Sequence, residues 1–211
     1  MHPWETVSLE DYEAHMSLAQ VHQMQTLSEI MKSQLDDYPV QSVAILGISG
    51  GNGLEHVDTG KIKTVYGIDV NESYLDACRE RFAHLGECLC LQRADLSDPN
   101  EHLPTVDLVI ADLFIEYIGV EVFARQLANR MPGHVSCVIQ KSLGAEFVSQ
   151  SPYTASFERI GTLHRDIDES TLTAAMRRIG MLPAHREEFG LPNAKQFIRL
   201  DYSEQGVKRN A

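Results

Sequence analysis

The sequence predicts an α/β fold built on a doubly wound, mostly parallel sheet of seven strands. Apolar runs of strand length alternate with helical patterns over residues 43–140, which is typical of strand–helix–strand units whose sheet is covered on both faces. The first strand, residues 43–46, breaks into a glycine-rich loop, residues 47–53, and the second strand ends on Asp69. Near the end of the chain, two strands flank the turn residues 190–193, which predicts an antiparallel hairpin.

Residues 1–38 precede the sheet and predict a helical cover. Ser8 is placed to cap a short helix that runs to Met16, and Ser17 with Gln20 has the spacing of a capping box for a second helix, which ends at residues 36–39. The plain interpretation is a structural cover. The alternative is a lid that closes over a ligand, because four polar or aromatic side chains lie close together in this segment: Tyr12, His15, His22 and Gln23.

Five strands are predicted in order, each followed by a turn or a helix: residues 43–46, 65–68, 88–92, 107–111 and 134–140. A helix that begins at Asn71 or Ser73 and ends at Gly86 follows the second strand. Pro99 and Pro104 exclude a long helix before the fourth strand, and apolar spacing predicts a further helix over residues 118–127.

The C-terminal part departs from the parallel pattern. Asp168 is placed to cap a helix that Gly180 ends, and the hairpin strands cover about residues 182–189 and 195–200. Residues 203–211 are polar and predict a frayed tail. The chain therefore divides into a cover (1–38), a Rossmann-like domain (39–202) and a tail (203–211).

Charge narrows the classes of partner. The formal net charge is −12 and the isoelectric point is about 5.1, which disfavours nucleic acid and anionic membranes and favours a neutral or cationic small ligand. No apolar run has transmembrane length, and the N-terminus lacks the basic and apolar regions of a signal peptide, so we expect a cytoplasmic protein. The oligomeric state, monomer or homodimer, stays open.

The four cysteines predict no metal site. Cys88 and Cys90 form a C-x-C pair without a second pair, which makes a poor zinc site. We interpret them, together with Cys78 and Cys137, as small, buried and reduced core residues.

Polar residues follow several strands at the edge where a doubly wound sheet binds its ligand. They are the loop 47–53, Asp69, Asp95, Asp112 and residues 140–142. Carboxylates there can bind hydroxyl, amino or cationic groups. The structural alternative is helix capping and turn formation, which aspartate also performs well.

Five motifs and the hairpin, taken in order, resemble the class I S-adenosylmethionine-dependent methyltransferases. They are the glycine loop, Gly-Ile-Asp-Val (67–70), Ala-Asp-Leu (94–96), Val-Asp-Leu-Val-Ile-Ala-Asp-Leu (106–113) and Met-Pro-Gly-His-Val (131–135). The resemblance spans about residues 40–202. It implies transfer of a methyl group from S-adenosylmethionine to a small-molecule acceptor.

The resemblance also implies which residues bind the cofactor. Gly47, Ser49, Gly51 and Gly53 would lie along its methionine part, Asp69 with Val70 would hold the ribose, Asp95 and Leu96 the adenine, and Asp112 and Leu113 would border the methyl group. The sequence departs from the family at two positions. Ile45 stands where members usually have an acid and Ser49 where they have a glycine, so Asp112 or Gln23 would supply the missing polar partner.

Methyl transfer needs little catalytic machinery, because holding the acceptor against an activated methyl group supplies much of the acceleration. A base is needed only if the acceptor carries a proton at working pH. The candidates are Glu116, Tyr117, His15, Tyr12 and His164. Metal-assisted chemistry is disfavoured because strand five ends in Gln-Lys-Ser, and base methylation because residues 111–114 are not Asn-Pro-Pro-aromatic.

Two other functions stay open. An NAD(P)-dependent oxidoreductase would use Gly51-Asn52-Gly53 and Asp69, although His56 stands at the third glycine position and there is no room for a substrate domain. A non-catalytic module that binds S-adenosylmethionine would account for the altered glycine loop. For Asp69→Ala, the sequence predicts weaker cofactor binding with little loss of stability.

Overall fold

The computed structural model describes residues 2–142, 144, 148–192 and 194–204. The chain forms one seven-stranded sheet in the order β3-β2-β1-β4-β5-β7-β6. Neighbours among β1 to β5 pair in parallel, and β7 pairs antiparallel with both β5 and β6. The predicted fold class is therefore confirmed. The strands are β1 Ser42–Leu46, β2 Thr64–Asp69, β3 Leu89–Arg93, β4 Leu108–Asp112, β5 His134–Ser142, β6 Met181–Leu191 and β7 Lys195–Glu204.

Helices cover both faces of the sheet. Met31, Leu35 and Leu75 pack with Ile45 and Ile110 on one face. A second buried cluster, which contains residues of α5 and α7, packs on the other face. The helices are α1 Leu9–Ser17, α2 Gln23–Asp36, α3 Glu72–Arg81, α4 Ile115–Ile118, α5 Val120–Asn129, α6 Glu158–Gly161 and α7 Glu169–Arg178. Among the described residues, no helix combines the length and the apolar character that a membrane span requires.

The order of the strands indicates at which edge of the sheet a ligand would bind. β1 lies between β2 and β4, so the direction of strand succession reverses at β1. Ile45 is in register with Gly67 on one side and Ile110 on the other. The residues that follow these strands, Gly47 and Asp69 among them, therefore meet at one edge of the sheet, where open α/β sheets bind ligands.

Several helix boundaries differ from the sequence prediction. Ser17 ends α1 instead of opening the next helix. The helix α2 begins at Gln23, directly after His22, whose left-handed conformation with φ of 54° is not helical. The capping box was wrong because Ser17 is itself helical and cannot take the extended conformation of an N-cap. Gly119, with φ of 83°, divides the helix predicted over 118–127 into α4 and α5.

The cysteines and the end of the chain also bring corrections. Cys78 and Cys137 are buried, but Cys88 is half-buried and Cys90 is exposed on β3, so the prediction of four core cysteines was wrong. β3 is an edge strand and leaves one face of the sheet uncovered at Cys90. β7 extends through Glu204, so the strand includes the first two residues assigned to the tail. Residues 205–211 and Asn193 of the hairpin turn lie outside the described residues.

A buried ion pair ties α2 to the C-terminal hairpin. Arg199 is fully buried, and it donates from Nε to Asp201 Oδ1 at 3.0 Å and from Nη2 to Asp37 Oδ2 at 2.8 Å. Asp201 also accepts from the Tyr38 hydroxyl at 2.8 Å and from Ser136 Oγ at 2.5 Å. Removing one member of such a network leaves an uncompensated buried charge.

Arg199→Met should therefore lower the free energy of unfolding by about 3–5 kcal/mol. The measurement is chemical denaturation of the variant and of the wild type. Arg178→Met is the matched control, because Arg178 pairs with Glu121 where both side chains are more than half exposed, and that change should cost about 1 kcal/mol or less. Equal effects of the two substitutions would show that the buried network does not stabilise the fold.

Candidate functional site

A cavity of about 340 Å³ lies at the carboxyl edge of β1, β2 and β4. This size is typical of small-molecule sites. The structure brings to its wall eight of the eleven residues proposed for the cofactor and the four main catalytic candidates. The first group is Gly47, Asp69, Val70, Asp95, Leu96, Asp112, Leu113 and Gln23, and the second is Glu116, Tyr117, His15 and Tyr12.

The glycine loop contributes one wall residue, Gly47, and is otherwise shaped by packing. Gly47 has φ of +68°, and a Cβ there would lie 3.0 Å from the Phe114 ring. Gly51 and Gly53 face away from the cavity: a Cβ on Gly51 would lie 2.6 Å from Phe82, and one on Gly53 would lie 2.5 Å from Met31. These two glycines let α2 and α3 approach the loop closely, and the structure does not bring them, or Ser49, to the cavity wall.

Asp69 links the glycine loop to the start of α3. Its Oδ2 accepts the Ser49 N–H at 2.9 Å, and its Oδ1 accepts the Asn71 N–H at 2.9 Å. Burial raises the pKa of this carboxyl, while the backbone donors oppose the shift. The side chain thus holds the loop as well as facing the cavity. The expectation that Asp69→Ala would cost little stability is corrected, because the substitution leaves two backbone donors without their acceptor.

Asp112 ends β4, and its two carboxylate oxygens differ in their contacts. Gln34 Nε2 donates to Asp112 Oδ1 at 2.8 Å, whereas Oδ2 is shielded from solvent and has no hydrogen-bond partner among the described residues. Burial raises the pKa of Asp112 to about 7. The next residue, Leu113, has φ of 53°, an uncommon conformation for a leucine, at the point where the chain leaves the sheet.

Glu116 is a second buried carboxyl on the same wall. It is 1% exposed, its Oε1 accepts the Gln140 N–H at 3.0 Å, and its Oε2 has no partner within the described part of the chain. Burial raises its pKa to about 7, and the charge of Asp112 adds to the shift. Gln23 donates from Nε2 to Gln140 Oε1, which joins α2 to the end of β5 beside this group.

The N-terminal segment contributes a further part of the wall. The Trp4 ring meets Tyr117 edge-on at a centroid distance of 4.9 Å and Tyr12 at 5.9 Å. Asn71 Nδ2 donates to the Trp4 carbonyl at 3.0 Å, and the Tyr74 hydroxyl donates to the Val7 carbonyl at 3.0 Å. The segment is thereby attached to β2 and α3. Its residues on the cavity wall are His2, Trp4, Tyr12, His15, Met16 and Gln23.

The other titratable candidates are neutral at ordinary pH. His15 hydrogen-bonds through Nδ1 to Ser151 Oγ at 2.8 Å, and burial lowers its pKa. Burial raises the pKa of the Tyr12 and Tyr117 hydroxyls well above the usual range. His164 packs against the edge of Tyr117 at 6.3 Å and is not on the wall.

Sequence reasoning missed several residues of the site. Trp4 and His2 lie on the wall, and Gln34 supports Asp112 from 78 positions away. The walls also include apolar residues that lie between β5 and α7, namely Phe157, Ile160 and Leu163. Neither spacing nor residue type singles these positions out, because each reaches the site through tertiary packing.

The two buried carboxyls predict a pH dependence of stability. Their pKa values of about 7 in the folded protein lie above the ordinary values of 3.8 and 4.5, so the folded state retains protons that the unfolded state has lost. The stability that these bound protons contribute is fully present below about pH 4, and it is lost as the pH rises through 7. Glu116→Gln removes one of the groups.

We therefore expect the unfolding free energy of Glu116→Gln, relative to the wild type, to rise between pH 5 and pH 8. The measurement is denaturant unfolding of both proteins across that range. Glu121→Gln is the control, because Glu121 is exposed on α5 and its substitution should give a difference that does not vary with pH. A flat difference for Glu116→Gln as well would show that the Glu116 pKa is not raised.

The chain is similar to solved structures of known proteins, and this similarity shows its fold. No protein-family model and no curated protein sequence matches the chain. Magnesium protoporphyrin IX methyltransferase (ChlM) from Synechocystis PCC 6803, solved with bound S-adenosylhomocysteine (SAH), is similar at a TM-score of 0.61 and 13% identity, over 86% of this chain and 83% of its own. The chain has the class I methyltransferase fold.

Two further proteins whose structures have this fold are named for different reactions. Geranyl diphosphate C-methyltransferase from Streptomyces coelicolor A3(2) gives a TM-score of 0.63 at 10% identity, over 85% of this chain and 77% of its own. The [4+2]-cyclase SpnF gives 0.60 at 11% identity, over 85% and 80%. The methyltransferase fold alone therefore does not define a reaction, and the function has to be inferred from the residues of the site.

Proposed function

We propose that the protein transfers a methyl group from S-adenosylmethionine to a small-molecule acceptor. The observation that carries the proposal is the meeting of Gly47, Asp69 and Asp112, each from the end of a different strand, in one cavity of ligand size. Structures of the same fold that contain SAH support it.

The residues of the wall suit the three parts of the cofactor. Each Asp69 oxygen accepts one backbone N–H and keeps a lone pair for a ribose hydroxyl. Asp112 Oδ2 is a buried acceptor to which no described residue donates, and this suits the methionine ammonium group. Ile45 cannot serve there, because it is 4% exposed and packs in the core. Apolar side chains for the adenine are Ile68, Ala94 and Leu96.

When bound, S-adenosylmethionine would supply a methyl group activated by its positively charged sulfur, so the acceptor would need only a lone pair held against that methyl group. The chain's own residues position the acceptor and exclude water. Trp4, Tyr12 and Tyr117 form an aromatic wall next to Glu116. Gln34 holds the Asp112 carboxyl in place, and a cationic cofactor beside it would favour the charged form of that carboxyl.

The N-terminal cover belongs to the same proposal. We infer that the segment before α2 acts as a lid, because its side chains line the cavity and its ion pairs with α3 and β3 are partly exposed, whereas α2 itself packs in the core. Arg81 binds both oxygens of Glu13, and Arg93 binds Glu5, in ion pairs that solvent reaches. Such contacts are weak and open readily.

The local structure argues against a dinucleotide. Dinucleotide-binding loops place the pyrophosphate on the N-terminus of an α-helix. Here the glycine loop leads into a single 3₁₀ turn, Leu54–His56, and His56 Nε2 hydrogen-bonds to Ser28 Oγ at 3.0 Å. The described residues therefore offer no helix dipole at the place where a pyrophosphate would need it.

The remaining alternative is a module that binds the cofactor without turnover. The experiment incubates the full-length protein with S-adenosylmethionine carrying a trideuterated methyl group and a small-molecule metabolite extract, and mass spectrometry follows the products. Transfer predicts at least one compound heavier by the labelled methyl group and stoichiometric SAH. Tight cofactor binding with no labelled product and no SAH would favour the non-catalytic module.

A further inference from the structure

We propose that the methyl acceptor is an amine, bound as a cation between Glu116 and the aromatic rings of Trp4 and Tyr117. This inference rests on the proposed methyl transfer and specifies its acceptor. Its basis is the composition of the cavity: a buried Glu116 oxygen with no partner among the described residues, neutral aromatic rings, and more acidic than basic groups on the wall.

Glu116 requires a donor that the described part of the chain does not provide. Its Oε1 accepts the Gln140 N–H, while Oε2 is buried and has no hydrogen-bond partner within the described ranges. A buried polar atom without a partner carries a free-energy cost that a ligand donor removes. An ammonium group satisfies the hydrogen-bonding capacity of the carboxylate and also balances its charge.

The titratable groups on the wall favour a cationic over an anionic acceptor. Four carboxyl groups line the cavity: Asp69, Asp95, Asp112 and Glu116. Arg165 is the single lysine or arginine among the described wall residues. Its side chain is exposed, and its guanidinium lies 3.5 Å from the Tyr117 carbonyl and against Gly119. Geranyl diphosphate, the ligand of one similar structure, is an anion and would be repelled here.

The aromatic side chains supply the second element of cation recognition. Trp4 and Tyr117 meet edge-on at 4.9 Å, and Tyr12 lies 5.9 Å from Trp4. Because burial raises the pKa of both tyrosines, these rings remain neutral phenols. Aromatic faces attract cations most strongly where water is excluded, and a carboxylate beside them adds direction to the contact.

The same carboxylate can prepare the amine for reaction. The ammonium N–H bond breaks, the proton forms an O–H bond with Glu116 Oε2, and the nitrogen keeps the electron pair as its nucleophilic lone pair. Glu116 later releases the proton to solvent. The Glu116 pKa of about 7 in the ligand-free protein allows both directions of this transfer near neutral pH.

The test uses matched ligands that differ in one functional group. Full-length protein, with and without saturating SAH, is titrated by calorimetry with the amine, alcohol and carboxylic acid of three carbon frames: n-butyl, benzyl and 2-(indol-3-yl)ethyl. In at least one frame we expect the amine to bind tenfold or more tightly than its alcohol, and the carboxylate to bind weakest.

Glu116→Gln separates charge recognition from shape. The glutamine carbonyl can still accept the Gln140 N–H, so the local structure should be retained while the preference for the amine, measured with and without SAH, falls to within twofold. Glu121→Gln, exposed on α5, should keep the preference. Alcohols that bind as well as their amines in all three frames, or an amine preference that survives in Glu116→Gln, would overturn the inference. If the wild type does not bind SAH, that result counts against the proposed function. The titrations without SAH then still test the preference for the amine.

Discussion

Asp69→Ala should weaken SAH binding by a hundredfold or more and also destabilise the fold. Two hydrogen bonds between a carboxylate and ribose hydroxyls contribute about 3–6 kcal/mol to binding in total. The same carboxylate accepts the Ser49 and Asn71 N–H groups, and leaving both donors unsatisfied should lower the free energy of unfolding by about 2–6 kcal/mol. The measurements are calorimetric titration with SAH and chemical denaturation.

Asp76→Ala is the matched control for this substitution. Asp76 lies on α3 and pairs with Arg79 where both side chains are more than half exposed, away from the cavity wall. Its loss should leave both SAH affinity and stability nearly unchanged. If Asp69→Ala bound SAH within about twofold of the wild type while losing stability, Asp69 would hold the loop and have no role in binding.

Removing residues 1–16 should abolish methyl transfer and leave a folded domain. The deletion removes Trp4, Tyr12 and His15 from the cavity wall, so the acceptor side opens to water. The two buried clusters that cover the faces of the sheet contain no residue before Met31, and their packing therefore survives the deletion. The assays are turnover with the labelled cofactor and circular dichroism.

Hydrogen exchange tests whether the same segment moves. Lids come from the less stable parts of a fold and become ordered with ligand. Amide exchange across residues 5–25 should therefore slow about tenfold or more when SAH is added, while exchange in β6 should not change. Unchanged exchange in 5–25, together with turnover by the shortened protein, would identify the segment as a structural cover.

The fold was predictable because its signals are local. The strands read as apolar runs, and Asp69 and Asp112 followed from the rule that ligand residues come directly after strands. The hairpin followed from its turn residues. Such patterns depend on positions that are close in sequence, so they can be recognised without knowledge of the tertiary contacts.

The details of the site depend on pairs that are distant in sequence. Gln34 meets Asp112, and Trp4 meets Tyr117, through tertiary packing. The role of Gly51 and Gly53 was also hidden, because the pattern of a ligand-binding glycine loop and that of a loop packed under Phe82 and Met31 are the same in sequence. The buried Arg199 network has no sequence signal, since surface strands also carry Arg-x-Asp.

Calorimetric titration of the full-length wild type with SAH tests the central claim most directly, with NAD as the comparison ligand. The account predicts one SAH site per chain, no heat with NAD, and a melting temperature that rises with SAH concentration, as it must for a ligand selective for the native state. Saturating SAH that produces neither heat nor a thermal shift would contradict the account.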